Sequence, residues 1–188
     1  MSMFFTPRLL SMAVLWLSVF CIYLDAEEAP ESFNIFASDA HWIFISGAEF
    51  PPGGRGHFTL NLNAETAATG VLSFDFRQGG KYVGAETKVA IPAGYQELRM
   101  QVKADQQLTL GLRLKDSTDQ VHQWRMVYSN HGEWQPVRVR FHQAAPIHFG
   151  GAKDGVIHYP IRRMQLLVNR RGVTEPGEVA FTAFEILP

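Results

Sequence analysis

Residues 108–116, "LTLGLRLKD", place Leu108, Leu110, Leu112 and Leu114 on one side of an extended chain and Thr109, Arg113 and Lys115 on the other. Strict alternation of this kind is the mark of a β-strand with one face in a core and one in water, because successive side chains point to opposite faces of a sheet. The same two-residue period recurs on both sides of the stretch. "HFTLNLN" (57–63) aligns Phe58, Leu60 and Leu62. "VLSFDFR" (71–77) sets Leu72, Phe74 and Phe76 against Asp75 and Arg77, and "LRMQVKA" (98–104) sets Leu98, Met100 and Val102 against polar neighbours. Further strands are expected at "VHQWRMVY", "WQPVRVRF", "MQLLVN" and "EVAFTAFEIL". The segments between them, "PPGGRG", "RQGG", "IPAG", "KDSTDQ", "SNHG" and "NRRGVTEPG", carry turn chemistry. Eight to ten short strands at this spacing predict an all-β protein, an antiparallel two-sheet β-sandwich of jelly-roll type occupying residues 33–188 as one domain.

The first thirty residues differ. Arg8 precedes an apolar run of 16 residues, "LLSMAVLWLSVFCIYL" (9–24), and the acidic "DAEEAP" follows. This is the order of an export signal, a hydrophobic signal helix with cleavage expected after Ala26. The alternative is an uncleaved anchor, short against the roughly 20 residues a span needs. Both outcomes place the domain outside the cytoplasm, periplasmic or extracellular, and in the second it is anchored by residues 9–24. Cys21, the single cysteine, lies within the run, so the domain has neither an internal disulfide nor a cysteine-based zinc site. With 17 basic and 18 acidic residues in 188, the charge balance gives no footprint for nucleic acid.

No nucleophile elbow or other recognisable catalytic serine or cysteine context is present, and the acids fall at strand ends and turns where solvated carboxylates are common. What the sequence does supply near loops and polar strand faces is aromatic rings beside planar hydrogen-bonding groups. Sugars present apolar C–H faces rimmed by hydroxyls, and this combination suits them. The residues expected to line such a site are Asp75, Arg77, Tyr82, Arg113, Gln123 and Arg125, with His148, Asp154 and His158 at the rim. A competing reading makes the polar face a solvated lattice of ion pairs. In "VHQWRMVY" the stripe His122, Trp124, Met126, Tyr128 reads as core or as an aromatic platform, and Trp134 as a core anchor. The loop "GGAKDGVIHYPI" (150–161) reads first as a shaped structural element, with sugar contacts second.

The segments "GAEFPPGGRG", "GGKYV" and "GGAKDGVIHYPI", set among the alternating strands, resemble the galactose-binding-like jelly-roll modules appended to bacterial secreted glycoside hydrolases. The resemblance implies a non-catalytic domain that recognises a polysaccharide or oligosaccharide, with a glycoside hydrolase or exopolysaccharide machinery as partner. It also implies a structural Ca²⁺ near the two ends of the domain, for which Glu49 and Glu185 are the available carboxylates. Two other classes stay open: a cell-envelope protein-interaction domain that has lost sugar binding, and a small polysaccharide-degrading enzyme.

Overall fold

The computed structural model describes residues 31–188 apart from 37–40, 63–66 and 142–144. The signal or anchor segment therefore lies outside the described residues.

Among the described residues, twelve strands build two antiparallel sheets. They are β1 (Phe33–Asn34), β2 (Trp42–Ile45), β3 (Phe58–Asn61), β4 (Thr69–Phe74), β5 (Tyr82–Ile91), β6 (Glu97–Ala104), β7 (Leu108–Lys115), β8 (Val121–Tyr128), β9 (Gln135–Arg140), β10 (Ile147–Phe149), β11 (Ile161–Asn169) and β12 (Gly177–Leu187). One sheet runs β3-β4-β12-β6-β9, with β1 also pairing β12, and the other runs β10-β8-β7-β11-β5-β2. The described residues form no helix.

The alternating leucines of β7 are all buried, as are Leu72 and Phe74 of β4 and Leu98, Met100 and Val102 of β6. They meet Val179, Phe181, Phe184 and Ile186 of β12 in one core between the sheets. Full burial of each such side chain contributes about 1.5–3 kcal/mol, so the inner faces account for the sandwich. The β8 stripe belongs to this core: His122 and Tyr128 are fully buried and Trp124 packs against Phe141. The platform reading of that stripe is thereby set aside. Trp134, expected as a core anchor, stands exposed just before β9. It precedes the strand rather than opening it, and so misses the inward register.

The outer face of the second sheet has an uncommon floor. Gly111 of β7 and Gly84 of β5 flank Leu167 of β11 in one cross-strand row. A Cβ on Gly84 would lie 2.5 Å from both the Leu166 carbonyl oxygen and Leu167 Cδ2. Leu167 points outward yet is buried between the two glycines. With only Leu167 between two glycines, the row is low over β5, β11 and β7 relative to the rows on either side.

Candidate functional site

The rows bordering that floor carry polar and aromatic groups. In one, Gln123 of β8, Arg113 of β7, Gln165 of β11 and Glu86 of β5 stand side by side by register. They are joined by hydrogen bonds: Arg113 Nε donates to Gln123 Oε1 at 2.7 Å, and Gln165 Nε2 donates to Glu86 Oε2 at 2.6 Å. Arg163 Nη1 donates to the other Glu86 oxygen at 3.0 Å. The Arg113 guanidinium lies over the Tyr82 ring, 4.7 Å from its centroid, and 5.7 Å from the centroid of the exposed Phe149. Tyr82 is held from its far end, where its hydroxyl donates to Glu49 of the 46–52 turn. Burial, and then the neighbouring Glu49 carboxylate, push the phenol above its ordinary pKa, so Tyr82 remains a neutral ring under the cation.

Two depressions open on this face. One, of about 340 Å³, is lined by Glu49, Glu86, Arg113, Phe149 and Gln165 among others. The second, of about 770 Å³, includes Arg125, which continues the glycine row onto β8, and Thr109 and Asn169 of the next row. From Val121 to Val127 the outward positions of β8 span roughly 20 Å at about 3.3 Å per residue, a length suited to an oligosaccharide rather than a single sugar.

Of the residues expected from sequence, Tyr82, Arg113, Gln123 and Arg125 share this face. Asp75 and Arg77 do not. They follow β4 in the opposite sheet, where Arg77 Nη2 donates to Asp75 Oδ2 at 2.7 Å. Arg77 lines a separate cleft of about 150 Å³ with Glu175 at the end of the sandwich. The pair fits the ion-pair reading, and it holds the Asp75 carboxyl at about 2, chiefly through the Arg77 side chain. His148 pairs in register with buried His122, so its ring takes the opposite side of β10 from Phe149 and packs against Gly155. Asp154 and His158 are spent inside the loop. Asp154 Oδ1 accepts from the Val156 amide and from Gln120 Nε2, both at 3.0 Å, and Oδ2 lies 2.8 Å from His158 Nε2. Glu49 faces Tyr82 on one sheet, whereas Glu185 pairs with Arg99 on the outward side of the other. The two carboxylates stand on opposite faces of the sandwich. Phe149, Glu86 and Gln165 were missed from the expected set. Each is an outward position of a strand whose neighbours in the sheet come from distant sequence.

The loop that carries Phe149 is fixed by a buried polar knot. Asp116, with no exposed surface, accepts at Oδ1 from the Thr118 amide (2.9 Å), the Thr118 hydroxyl (2.8 Å) and the Gln120 amide (3.1 Å). Its Oδ2 accepts from the His158 amide and lies against His122 Nε2, each at 3.1 Å. Gln120 passes the constraint on, donating to the Val156 carbonyl at 2.9 Å and accepting from the Gly155 amide at 3.2 Å. Gly151, at φ 46°, comes so close that a Cβ there would lie 2.3 Å from the Gln120 nitrogen.

Burial raises the Asp116 pKa, but its bonds from His122, Thr118 and the His158 amide outweigh this and hold it below the usual value. Asp154 is also lowered, first by the Val156 amide and then by His158 and Gln120. Carboxyls with depressed folded-state pKa values contribute stability that is complete above the ordinary value of about 3.9 and is lost as pH falls through the folded values. The melting temperature is therefore expected to be level from about pH 7 to pH 5 and to fall below about pH 4. Asp154→Asn should flatten part of that fall; an unchanged melting temperature between pH 5 and pH 2 would contradict the assignment.

No family model matches the chain, and no curated protein matches it. Solved structures do. A family 11 carbohydrate-binding module from a cellulosomal cellulase of Clostridium thermocellum superposes with a TM-score of 0.60 at 11% identity, over 84% of this chain and 93% of that one. The domain has the jelly-roll fold of carbohydrate-binding modules. A Clostridium thermocellum family 11 module in complex with a β-1,3-1,4-mixed-linked tetrasaccharide gives a TM-score of 0.60 at 10% identity, over 83% and 94% of the two chains. Part of an exo-β-agarase gives 0.56 at 13% identity, over 85% of this chain and 25% of that chain. At these identities the likeness is one of fold, and the chemistry rests on this chain's own residues.

Proposed function

We propose that the protein is an exported, non-catalytic carbohydrate-binding domain that holds a polysaccharide across the outer face of its second sheet, alone or in support of a separate polysaccharide-active enzyme. The observation that carries this reading is Arg113, set between the rings of Tyr82 and Phe149 and hydrogen-bonded to Gln123 in a cleft of about 340 Å³. A stacked, oriented guanidinium offers paired donors to vicinal hydroxyls, Gln165 and Glu86 add planar donor and acceptor groups, and exposed Phe149 offers an apolar surface to a sugar's C–H face. Export is supported by the apolar run 9–24 ahead of the domain.

The test is a polysaccharide panel, neutral and charged, screened by affinity electrophoresis with the full-length protein and followed by a reducing-end assay on whatever is retained. Retention of at least one polysaccharide without release of reducing ends is the expected result. Failure to retain any member would overturn sugar binding, and release of reducing ends would overturn the non-catalytic assignment.

A further inference from the structure

The larger depression differs from the smaller in charge. The smaller mixes signs, with Glu49, Glu86 and Asp119 beside Arg113, Lys115 and Arg163. The larger is lined by Lys81, Arg125, Arg170 and Arg171, with Thr109 and Asn169 between them, and has no acid in its lining. These cations arrive from three places: the start of β5, the middle of β8 and the turn after β11. Among the described residues none of the four makes an ion pair, and Lys81 Nζ lies 4.9 Å from the centroid of the Phe50 ring. Four like charges around one groove repel one another, and a protein whose formal net charge is −1 has no general excess of cations to distribute. Such an arrangement is relieved by an anionic ligand.

We infer that this groove binds the acidic groups, carboxylate or sulfate, of an anionic polysaccharide. The inference rests on the carbohydrate-binding reading and narrows it to a class of glycan. Three arginines give planar forks that fit carboxylate or sulfate oxygens in pairs. Thr109 and Asn169 supply hydroxyl and amide groups for the intervening sugar hydroxyls, although the Asn169 amide already donates once to the Thr109 carbonyl at 3.0 Å. Exposed Val127 is the apolar residue of the groove, and no aromatic ring lines it. A single-stranded nucleic acid site would be expected to offer its bases rings to stack on. The groove and the Arg113 cleft lie on the same sheet face, so one extended chain can engage both.

The experiment measures binding of full-length protein to polygalacturonate, a sulfated carrageenan, neutral agarose, a neutral mixed-linkage β-glucan and single-stranded DNA, at low and at high salt. Wild type is compared with an Arg125→Gln/Arg170→Gln/Arg171→Gln variant and with Lys103→Ala on the opposite sheet. The expected result is retention of polygalacturonate or carrageenan, weakened about tenfold or more between about 50 mM and 500 mM NaCl as the cations are screened. The triple variant should lose about tenfold or more at low salt while melting as the wild type does, and Lys103→Ala should bind as wild type. Whichever of the two acidic glycans is retained identifies carboxylate or sulfate as the group bound. Salt-insensitive retention of the neutral glycans alone would overturn this inference and leave the carbohydrate-binding reading standing. Retention of an acidic glycan unchanged in the triple variant would overturn the placement in this groove. Binding of DNA with no glycan retained would overturn both.

Discussion

Asp116→Ala is expected to destabilise the protein by about 3–5 kcal/mol, the usual cost of removing one partner from a buried, hydrogen-bonded carboxylate pair. Asp116 has no exposed surface, and its two oxygens serve three backbone amides, the Thr118 hydroxyl and the His122 ring. Truncation leaves those donors without an acceptor beneath a loop that admits little water, and each unsatisfied group costs about 1–3 kcal/mol. Asp116→Asn keeps one acceptor oxygen and the side-chain volume but loses the charge, so its loss should be smaller. The damage should also reach the Arg113 cleft. Gln120 ties the knot to Gly155 and Val156, and the same loop begins at Phe149 and Gly150, both in the cleft wall. Denaturant unfolding of the three proteins, with comparison of slopes, measures the effect; a loss below about 1 kcal/mol in Asp116→Ala would mean that the loop is held by other contacts.

The sandwich was legible in sequence wherever a strand has one dry face. In β4, β6 and β7 the inward residues are apolar and most of their neighbours polar, with Val71 and Gly111 the departures, and all three strands lie as the alternation required. The pattern weakens in β11, where Met164, Leu166 and Val168 face inward but Leu167, facing outward, is equally buried. Gly84 and Gly111, far from it in the chain, create its place. Local alternation registers which side of a strand a residue takes and is silent on which sheet the strand joins. That is why Asp75 and Arg77, outward-facing like Arg113 and Gln123, belong to the other side of the molecule. The cationic groove was hidden for the same reason: Lys81, Arg170 and Arg171 lie beside turns, and only the pairing of β5 with β11, of β11 with β7 and of β7 with β8 gathers them next to Arg125. The loop 150–158, by contrast, announced its structural role through its glycines and Asp154, and the hydrogen bonds of Asp154 are turned into the loop.

Arg113→Ala is expected to weaken binding of whichever glycan the wild type retains by about tenfold to a hundredfold, while leaving the fold intact. The guanidinium is held by the Tyr82 face and by Gln123 Oε1, so it is positioned in the cleft wall before any ligand arrives. Hydrogen bonds from a charged donor are worth about 1.5–3 kcal/mol, and each 1.4 kcal/mol is a factor of ten in affinity. The stability change should stay near 1 kcal/mol, since a partly exposed cation–π contact contributes only about 0.5–1 kcal/mol and Tyr82 remains anchored through Glu49. Arg113→Lys separates charge from geometry. An ammonium keeps the positive charge but cannot both stack as a plane and present paired donors, so binding should recover little. Titration calorimetry on the three proteins, with thermal melts alongside, decides the matter. Wild-type affinity in a folded Arg113→Ala protein would remove the cleft from consideration, and affinity fully restored by lysine would show that charge, not the oriented plane between Tyr82 and Phe149, attracts the ligand.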